Sequence, residues 1–309
     1  MSSADAKNLI VRPDRGLVAA VRIGEDADAC VPSFAIALGG GGARGFAHVL
    51  MLEALDELGI RPRLIAGTSI GALIGAAYAS GMSGADIHEF CHELFQKRIQ
   101  IVKRLFTRWS AALADRQGSS GVSILPGERV LEAILPEALP ATFEELKIPL
   151  LAVTTDFYTQ CPCILAAGPL MPAIVASSAL PGIMRPVELD GKVLIDGGFV
   201  NPVPFDLLKG EADIVAAIDV CAGPQQSRGQ VPSLIEAIIG SNQITMRSVM
   251  SEKLKSGAPD ILIRPDIGQF RVLDFYKIDD IFAASEAAKD EFKCACEAAI
   301  AAWRVTQSG

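Results

Sequence analysis

The chain has 309 residues, of which 50% are hydrophobic and 21% are charged, and its net charge at pH 7 is −8. The acidic balance argues against a nucleic-acid-binding protein. No apolar run reaches the ~20 residues of a membrane span, and the first residues lack the basic-then-apolar layout of a signal peptide, so we expect a cytoplasmic protein.

The pattern of buried strands and helices predicts an α/β protein with a mainly parallel central sheet. Residues 1–33 show no sustained period and are expected to form a partly ordered leader. Strands are predicted at 34–38, 63–66, 149–154, 163–166, 187–189, 192–195, 214–220 and 261–264. Helices are predicted at 46–58, 70–80, 85–95, 130–135, 172–178, 233–255 and 281–303. No repeat or low-complexity linker interrupts residues 34–309, which we interpret as one domain with a core at 34–221 and C-terminal helices and a strand at 231–303.

A glycine-rich loop, residues 39–45, connects the first buried strand to the first helix. It fits the dinucleotide pattern G-x-G-x-x-G, but a dinucleotide site also needs an acidic residue at the end of the second strand. That strand ends in Gly67-Thr68-Ser69, so the nucleotide interpretation is weak. A glycine-rich loop that opens a helix still offers backbone N–H groups to a negatively charged oxygen.

The second strand runs into Gly67-Thr68-Ser69-Ile70-Gly71 and then into a helix of small residues. This is the G-x-S-x-G pattern, in which a sharp strand-to-helix turn exposes the serine hydroxyl. The alternative is an ordinary turn in which Ser69 caps the helix. An exposed serine beside an anion-binding loop favours acyl transfer, whose tetrahedral intermediate needs donors for its oxyanion.

The base for Ser69 is not expected to be a histidine. The three histidines are His48, His88 and His92, whereas the α/β-hydrolase order places the catalytic histidine late in the chain. We therefore expect surface or packing roles for all three, and a carboxylate in the role of the base.

Asp196 follows the apolar run 193–195 and precedes two glycines. An aspartate before glycine is often only a turn residue, but Asp190-Gly191 already supplies the hairpin turn at this place. Burial at the end of an apolar strand would raise the pKa of Asp196 and strengthen it as a base.

Residues 97–117 combine an apolar stripe at helical spacing with six basic residues and one acidic residue. One interpretation is a helix packed on the core with a basic outer face. The other is a lid or interfacial helix that touches a membrane surface.

Three segments resemble, in order and spacing, the signatures of patatin-like phospholipases: 40–45, 67–71 and 196–198. Residues 176–182 also resemble the family's segment ahead of its Asp-Gly-Gly motif, and the resemblance covers about residues 34–280. It implies a three-layer α/β/α fold and a Ser-Asp dyad that hydrolyses acyl esters of phospholipids or lysophospholipids without metal or cofactor. Ser69 would be the nucleophile and Asp196 the base. The oxyanion site would be formed around Gly40, Gly41, Gly42 and Arg44, the elbow by Gly67 and Gly71, and the remaining motif glycines would be Gly45, Gly197 and Gly198.

We therefore expect a serine acyl-ester hydrolase that works through an acyl-enzyme on a lipid substrate. The alternatives are a thioesterase or acyltransferase with the same dyad, and a silent acyl-lipid-binding protein. Neither Cys-x-Cys pair, 161/163 or 294/296, has a second ligand pair or a nearby histidine, so free thiols are expected rather than a zinc site. The motifs do not specify the head group or the acyl chain length of the substrate, or the oligomeric state of the protein.

Overall fold

The computed structural model describes residues 8–9, 21–22, 31–94, 139–224 and 231–307. The basic segment 97–117 and the predicted helix at 130–135 lie outside these residues. Within the leader, two short strands, β1 (Asn8–Leu9) and β2 (Val21–Arg22), pair antiparallel. No helix of the described residues has the length and apolar character to cross a membrane.

The predicted elements that fall on described residues are present, and their ends differ from the predicted ones by four residues at most. The strands are β3 (Phe34–Leu38), β4 (Leu64–Thr68), β5 (Leu150–Asp156), β6 (Cys161–Leu165), β7 (Val187–Leu189), β8 (Lys192–Asp196), β9 (Ile214–Ile218) and β10 (Ile261–Ile263). The helices are α1 (Ala47–Glu57), α2 (Ile70–Ala79), α3 (84–94), α4 (Leu170–Ser177), α5 (Leu234–Lys255) and α6 (Ile278–Gln307).

The main sheet has the strand order β10-β9-β3-β4-β5-β8-β7, with β6 also paired to β5. The pairs from β10 to β5 are parallel, and the pairs that involve β6, β7 and β8 are antiparallel. Ile36 and Leu38 face a core cluster shared with α1, α2, α4 and α6, whereas Ala35 and Ala37 face a second cluster that includes Met250 of α5. Helices thus cover both faces of the sheet, which confirms the three-layer α/β/α fold.

The register around β5 explains how two distant parts of the chain meet. On one edge of β5, Val153 pairs with Thr68 at the end of β4, and the next residue, Thr154, pairs with Asp196 at the end of β8. On the opposite edge, both residues pair with β6. Strands β4 and β8 therefore run toward each other along the same edge of β5 and meet end to end, which brings the residue after Thr68 next to Asp196.

Strand β8 enters this position through the predicted hairpin. Leu189 pairs with Lys192 across a two-residue turn, in which Asp190 has φ 50° and Gly191 has φ 73°. Positive φ at both central residues is the mark of a type I′ turn, whose twist matches that of the flanking strands. The hairpin prediction is confirmed.

Candidate active site

Ser69 lies at the sharp turn between β4 and α2, with φ 56° and ψ −122°. A non-glycine residue in this region is strained by ~1–3 kcal/mol and needs support from its surroundings. The turn is too tight for a side chain at either of its two glycines. A Cβ atom on Gly71 would lie 2.1 Å from the Leu38 carbonyl oxygen, and a Cβ atom on Gly67 would lie 2.5 Å from Ala72 Cα. Ser69 directly precedes α2, but its side chain makes no capping hydrogen bond to the helix. Helix capping therefore does not explain why a serine stands at this turn.

The Ser69 hydroxyl instead donates to the Asp196 carboxylate, with 2.7 Å between Oγ and Oδ2. Asp196 is 4% exposed. Its other carboxylate oxygen, Oδ1, accepts from the Gly198 N–H at 2.8 Å, and its backbone oxygen accepts from Thr155 Oγ1 at 2.8 Å. One carboxylate oxygen therefore caps the Asp-Gly-Gly turn, and the other is left for the serine.

Burial raises the pKa of Asp196 from 3.8 to about 6. The hydrogen bonds from Gly198 and Ser69 act in the opposite direction, because they stabilise the charged form, but they do not outweigh the loss of water. At neutral pH this carboxylate is ionised, yet it holds a proton more strongly than an ordinary aspartate.

The glycine-rich loop lies beside Ser69 and leads into a short 3₁₀ helix, Gly42–Phe46. The Gly40 N–H donates to the Pro202 oxygen at 2.9 Å, and the Ala43 N–H donates to the Val272 oxygen at 2.8 Å. Between them, the Gly41 and Gly42 N–H groups have no acceptor among the described residues outside their own short helix. The Gly40 N–H is thus already hydrogen-bonded to the protein. Of the glycines predicted to form the oxyanion site, this leaves Gly41 and Gly42 with N–H groups that can donate to a substrate oxygen.

Gly40 has a spacing role instead, because a Cβ on it would lie 3.4 Å from Ser69 Cβ. Gly45 lets the 3₁₀ helix approach the first turn of α2, where a Cβ would meet Ile70 Cγ2 at 2.3 Å. Gly197 approaches β5 closely, and a Cβ there would lie 2.3 Å from the Val153 oxygen. These three glycines bring the segments of the site together.

Arg44 is 1% exposed, and its Nε donates to the Gly41 oxygen at 3.3 Å. Burial lowers the pKa of its guanidinium, and the nearby carboxylate of Asp219 acts in the opposite direction. The Gly41 carbonyl and the Gly42 N–H belong to one planar peptide group, in which they point in opposite directions. By holding the carbonyl, Arg44 fixes the direction of the Gly42 N–H.

Each histidine pairs with a group other than Ser69. His48 is fully buried, and its Nε2 lies 2.7 Å from the Gly39 oxygen; burial lowers its pKa to about 4, so its ring is neutral. His88 Nδ1 lies 2.7 Å from Oε1 of Glu53 in α1, and His92 Nε2 lies 3.7 Å from Asp279 Oδ1. His48 is thus more than a packing residue, since it holds the glycine-rich loop.

Sequence reasoning assigned no role to Ser177, although the structure places it at the site. The Ser69 N–H donates to Ser177 Oγ at 2.9 Å, and Ser177 Oγ donates to the Val153 oxygen at 2.7 Å. Ser177 therefore ties the strained turn to β5. The signal available in the sequence was a serine at the end of the otherwise apolar segment that forms α4.

The described residues contain no group of three or more His, Cys, Asp or Glu side chains arranged to hold a metal ion. The described cysteines form no disulfide: Cys91, Cys161, Cys163, Cys221, Cys294 and Cys296.

Comparison with known proteins gives a family match that includes the glycine-rich loop, the Ser69 turn and the Asp196 motif. Residues 36–209 match the family described as patatin-like phospholipase. An uncharacterized NTE family protein of Mycobacterium tuberculosis is 38% identical over 190 residues, which are 61% of this chain and 49% of that protein. Neuropathy target esterase sws of Drosophila melanogaster is 31% identical over 277 residues, with 81% of this chain and 19% of that protein covered. Lysophospholipase nte1 of Aspergillus fumigatus is 28% identical over 288 residues, with 85% and 18% covered. The chain thus spans half or less of the length of these relatives.

Proposed function

Because this chain belongs to the patatin-like phospholipase family, we propose that it is a serine acyl-ester hydrolase with Ser69 as nucleophile and Asp196 as base. The observation that carries the proposal is the 2.7 Å hydrogen bond from Ser69 Oγ to Asp196 Oδ2. A serine hydroxyl is a weak nucleophile until an adjacent base accepts its proton, and Asp196 is the group in contact with it.

In the first half of the reaction, Ser69 Oγ attacks the ester carbonyl carbon while its proton moves to Asp196. The carbonyl oxygen gains the negative charge of a tetrahedral intermediate, and the N–H groups of Gly41 and Gly42 donate to it. The intermediate then collapses, and the bond to the alcohol oxygen breaks. Asp196 returns the proton to this alcohol or lysolipid, and the acyl group stays on Ser69.

In the second half, Asp196 takes a proton from a water molecule that attacks the acyl-enzyme. A second tetrahedral intermediate forms at the same position, and its collapse releases the fatty acid and returns the proton to Ser69. A base serves this cycle best when its pKa is near the working pH. The raised pKa of Asp196, about 6, is much closer to neutral pH than that of a solvated carboxylate.

The substrate class is proposed from the family and its relatives: acyl esters of phospholipids or lysophospholipids. The relatives carry the names neuropathy target esterase and lysophospholipase, and this chain covers only part of each. No step of the proposed cycle calls for a metal or cofactor. Contact of residues 97–117 with a membrane surface stays a prediction, since these residues lie outside the described part of the chain.

Labelling with a fluorophosphonate probe tests the nucleophile, because such probes react with activated serines. We expect wild-type protein to be labelled at Ser69 and to release fatty acid from lysophosphatidylcholine. The Ser69→Ala variant should do neither while keeping its fold. Hydrolysis by Ser69→Ala, or a folded wild type that binds lysolipid without labelling or turnover, would contradict the proposal; the second result would favour a silent lipid-binding protein.

A further inference from the structure

The segment Asn201–Val203 forms backbone hydrogen bonds with three parts of the site: the base motif, the strand that leads to the nucleophile, and the glycine-rich loop. The Asn201 N–H donates to the oxygen of Gly197, beside the base, at 2.9 Å. The Asn201 oxygen accepts from Thr68 Oγ1, just before the nucleophile, at 2.8 Å. The Pro202 oxygen accepts from the Gly40 N–H of the glycine-rich loop at 2.9 Å. We call residues 201–203 the bridging segment.

The bridging segment is held from the opposite side by Lys253 of α5. The Lys253 ammonium donates to Asn201 Oδ1, to the Val203 oxygen at 2.6 Å and to Asp206 Oδ1 at 2.5 Å. Its three N–H donors thus have three acceptors. It also lies 4.5 Å from the ring centroid of Phe205, within cation–π range.

Lys253 is largely withdrawn from water, with its side chain 16% exposed. Burial lowers its pKa, and the negative charge of Asp206 acts in the opposite direction. A lysine held this way loses side-chain freedom as well as hydration. Such an arrangement fixes its acceptors more firmly than a surface ion pair would.

The same face of α5 also reaches the site directly. Met246 lies two turns before Lys253, and its Cε would be 3.2 Å from a Cβ on Gly40, while its Sδ would be 3.2 Å from one on Gly198. Helix α5 is therefore seated against the glycine-rich loop and the base motif through Met246, and against the bridging segment through Lys253.

We propose that Lys253 is a positioning residue for the hydrolase reaction, acting through the bridging segment on the glycine-rich loop and on the strand that carries Ser69. The inference rests on the proposed function of the Ser69–Asp196 site. Without the ammonium group, Asn201 Oδ1 loses the Lys253 donor, the Asp206 carboxylate loses the cation bonded to it, and the Val203 oxygen keeps the Phe205 N–H at 3.0 Å but loses its charged donor. The segment then relaxes, and the acceptors that hold Gly40 and Thr68 move with it.

Such a shift affects turnover more than substrate binding. The N–H groups of Gly41 and Gly42 interact most strongly with the charged intermediate, and interactions of this kind determine kcat. A displacement on the order of 1 Å in a reacting group can reduce the rate by about 100-fold.

The test compares Lys253→Met with Lys253→Arg and with the matched control Lys255→Met. Lys255 lies on the same helix, is 68% exposed and, within the described part of the chain, pairs with the exposed Glu252. We expect Lys253→Met to lower kcat by about 10- to 100-fold with KM within threefold. Affinity for a trifluoromethyl ketone, which forms a charged adduct with the serine, should fall in the same proportion as kcat. Lys253→Arg should recover part of both losses, and Lys255→Met should match wild type.

A purely structural role for Lys253 would lower the thermal midpoint of Lys253→Met and leave kcat and ketone affinity unchanged at temperatures where the variant is folded; that result would overturn the inference. If Lys253→Met does not fold, Thr68→Val removes one contact of the bridging segment and should show the same kcat and ketone losses on a smaller scale. An unchanged kcat in a folded Thr68→Val would then count against the inference. An inactive wild type would refute the proposed function instead, so the two failures are distinguishable.

Discussion

The Asp196→Asn substitution should abolish hydrolysis and at the same time stabilise the protein at neutral pH. Asparagine keeps the size and shape of the side chain and its acceptor for the Gly198 N–H, which lies 2.8 Å from Oδ1. It cannot take a proton from Ser69. General-base catalysis contributes about 10²–10⁴-fold, and we expect a loss in kcat of ~10³-fold or more.

The stabilisation follows from the pKa of Asp196, which burial raises from 3.8 to about 6. The folded protein holds this proton more tightly than the unfolded chain does. The contribution of Asp196 to stability is therefore fully present below about pH 4 and is lost as the pH rises through about 6. A difference of about 2 pH units corresponds to roughly 3 kcal/mol in the free energy of unfolding. The asparagine side chain of the variant is neutral at every pH and avoids this loss.

Denaturant unfolding of wild type and Asp196→Asn at pH 8 and near pH 4 measures the effect. We expect the variant to be more stable by about 3 kcal/mol at pH 8 and the difference to close near pH 4. Asp190→Asn is the matched control, since Asn-Gly forms the same type I′ turn and activity and stability should be unchanged. A stability difference independent of pH would refute the burial argument. An active Asp196→Asn with an inactive Asp190→Asn would show that the base had been assigned to the wrong aspartate.

The other predictions concern the same site. The kcat/KM of a soluble ester should fall about tenfold per pH unit below pH ~6, because Asp196 must be ionised to act; a flat profile down to pH 4 would contradict this. The Ser69→Ala/Asp196→Asn double variant should be little less active than either single variant, since residues that act as a unit are not additive; multiplied losses would indicate separate roles. Replacing both His88 and His92 with Gln should leave hydrolysis within about tenfold of wild type, and a loss of ~10³ in a folded protein would restore a histidine mechanism; His48 is kept because it holds the glycine-rich loop.

Much of the fold could be predicted because its signals are local. The hairpin turn at Asp190-Gly191 and the helix start at Ser233, which forms a capping box with Glu236, depend on neighbouring residues alone. Ser69 and Asp196 could likewise be predicted as catalytic candidates from local sequence, since each stands in a short pattern with glycines at fixed positions.

The rest depends on tertiary contacts that no local pattern contains. The end-to-end meeting of β4 and β8 is set by the register of both strands on β5. The bond from Lys253 to Asn201 joins residues 52 positions apart, and the occupied amide of Gly40 depends on Pro202, far along the chain. His48 was expected at the surface or in packing because its partner, a backbone oxygen, has no sequence signature.

The meeting of β4 and β8 on β5 also determines where the chain tolerates insertions and deletions. Ser69 and Asp196 are both placed by two consecutive residues of β5, Val153 and Thr154. One residue inserted between these two would shift β8 by one position relative to β4 and turn its side chains to the opposite face of the sheet. The connections between β4, β5 and β8 could change length without altering the distance between the Ser69 and Asp196 side chains, because the strand pairing stays the same. We therefore expect length variation among active relatives to avoid the middle of β5.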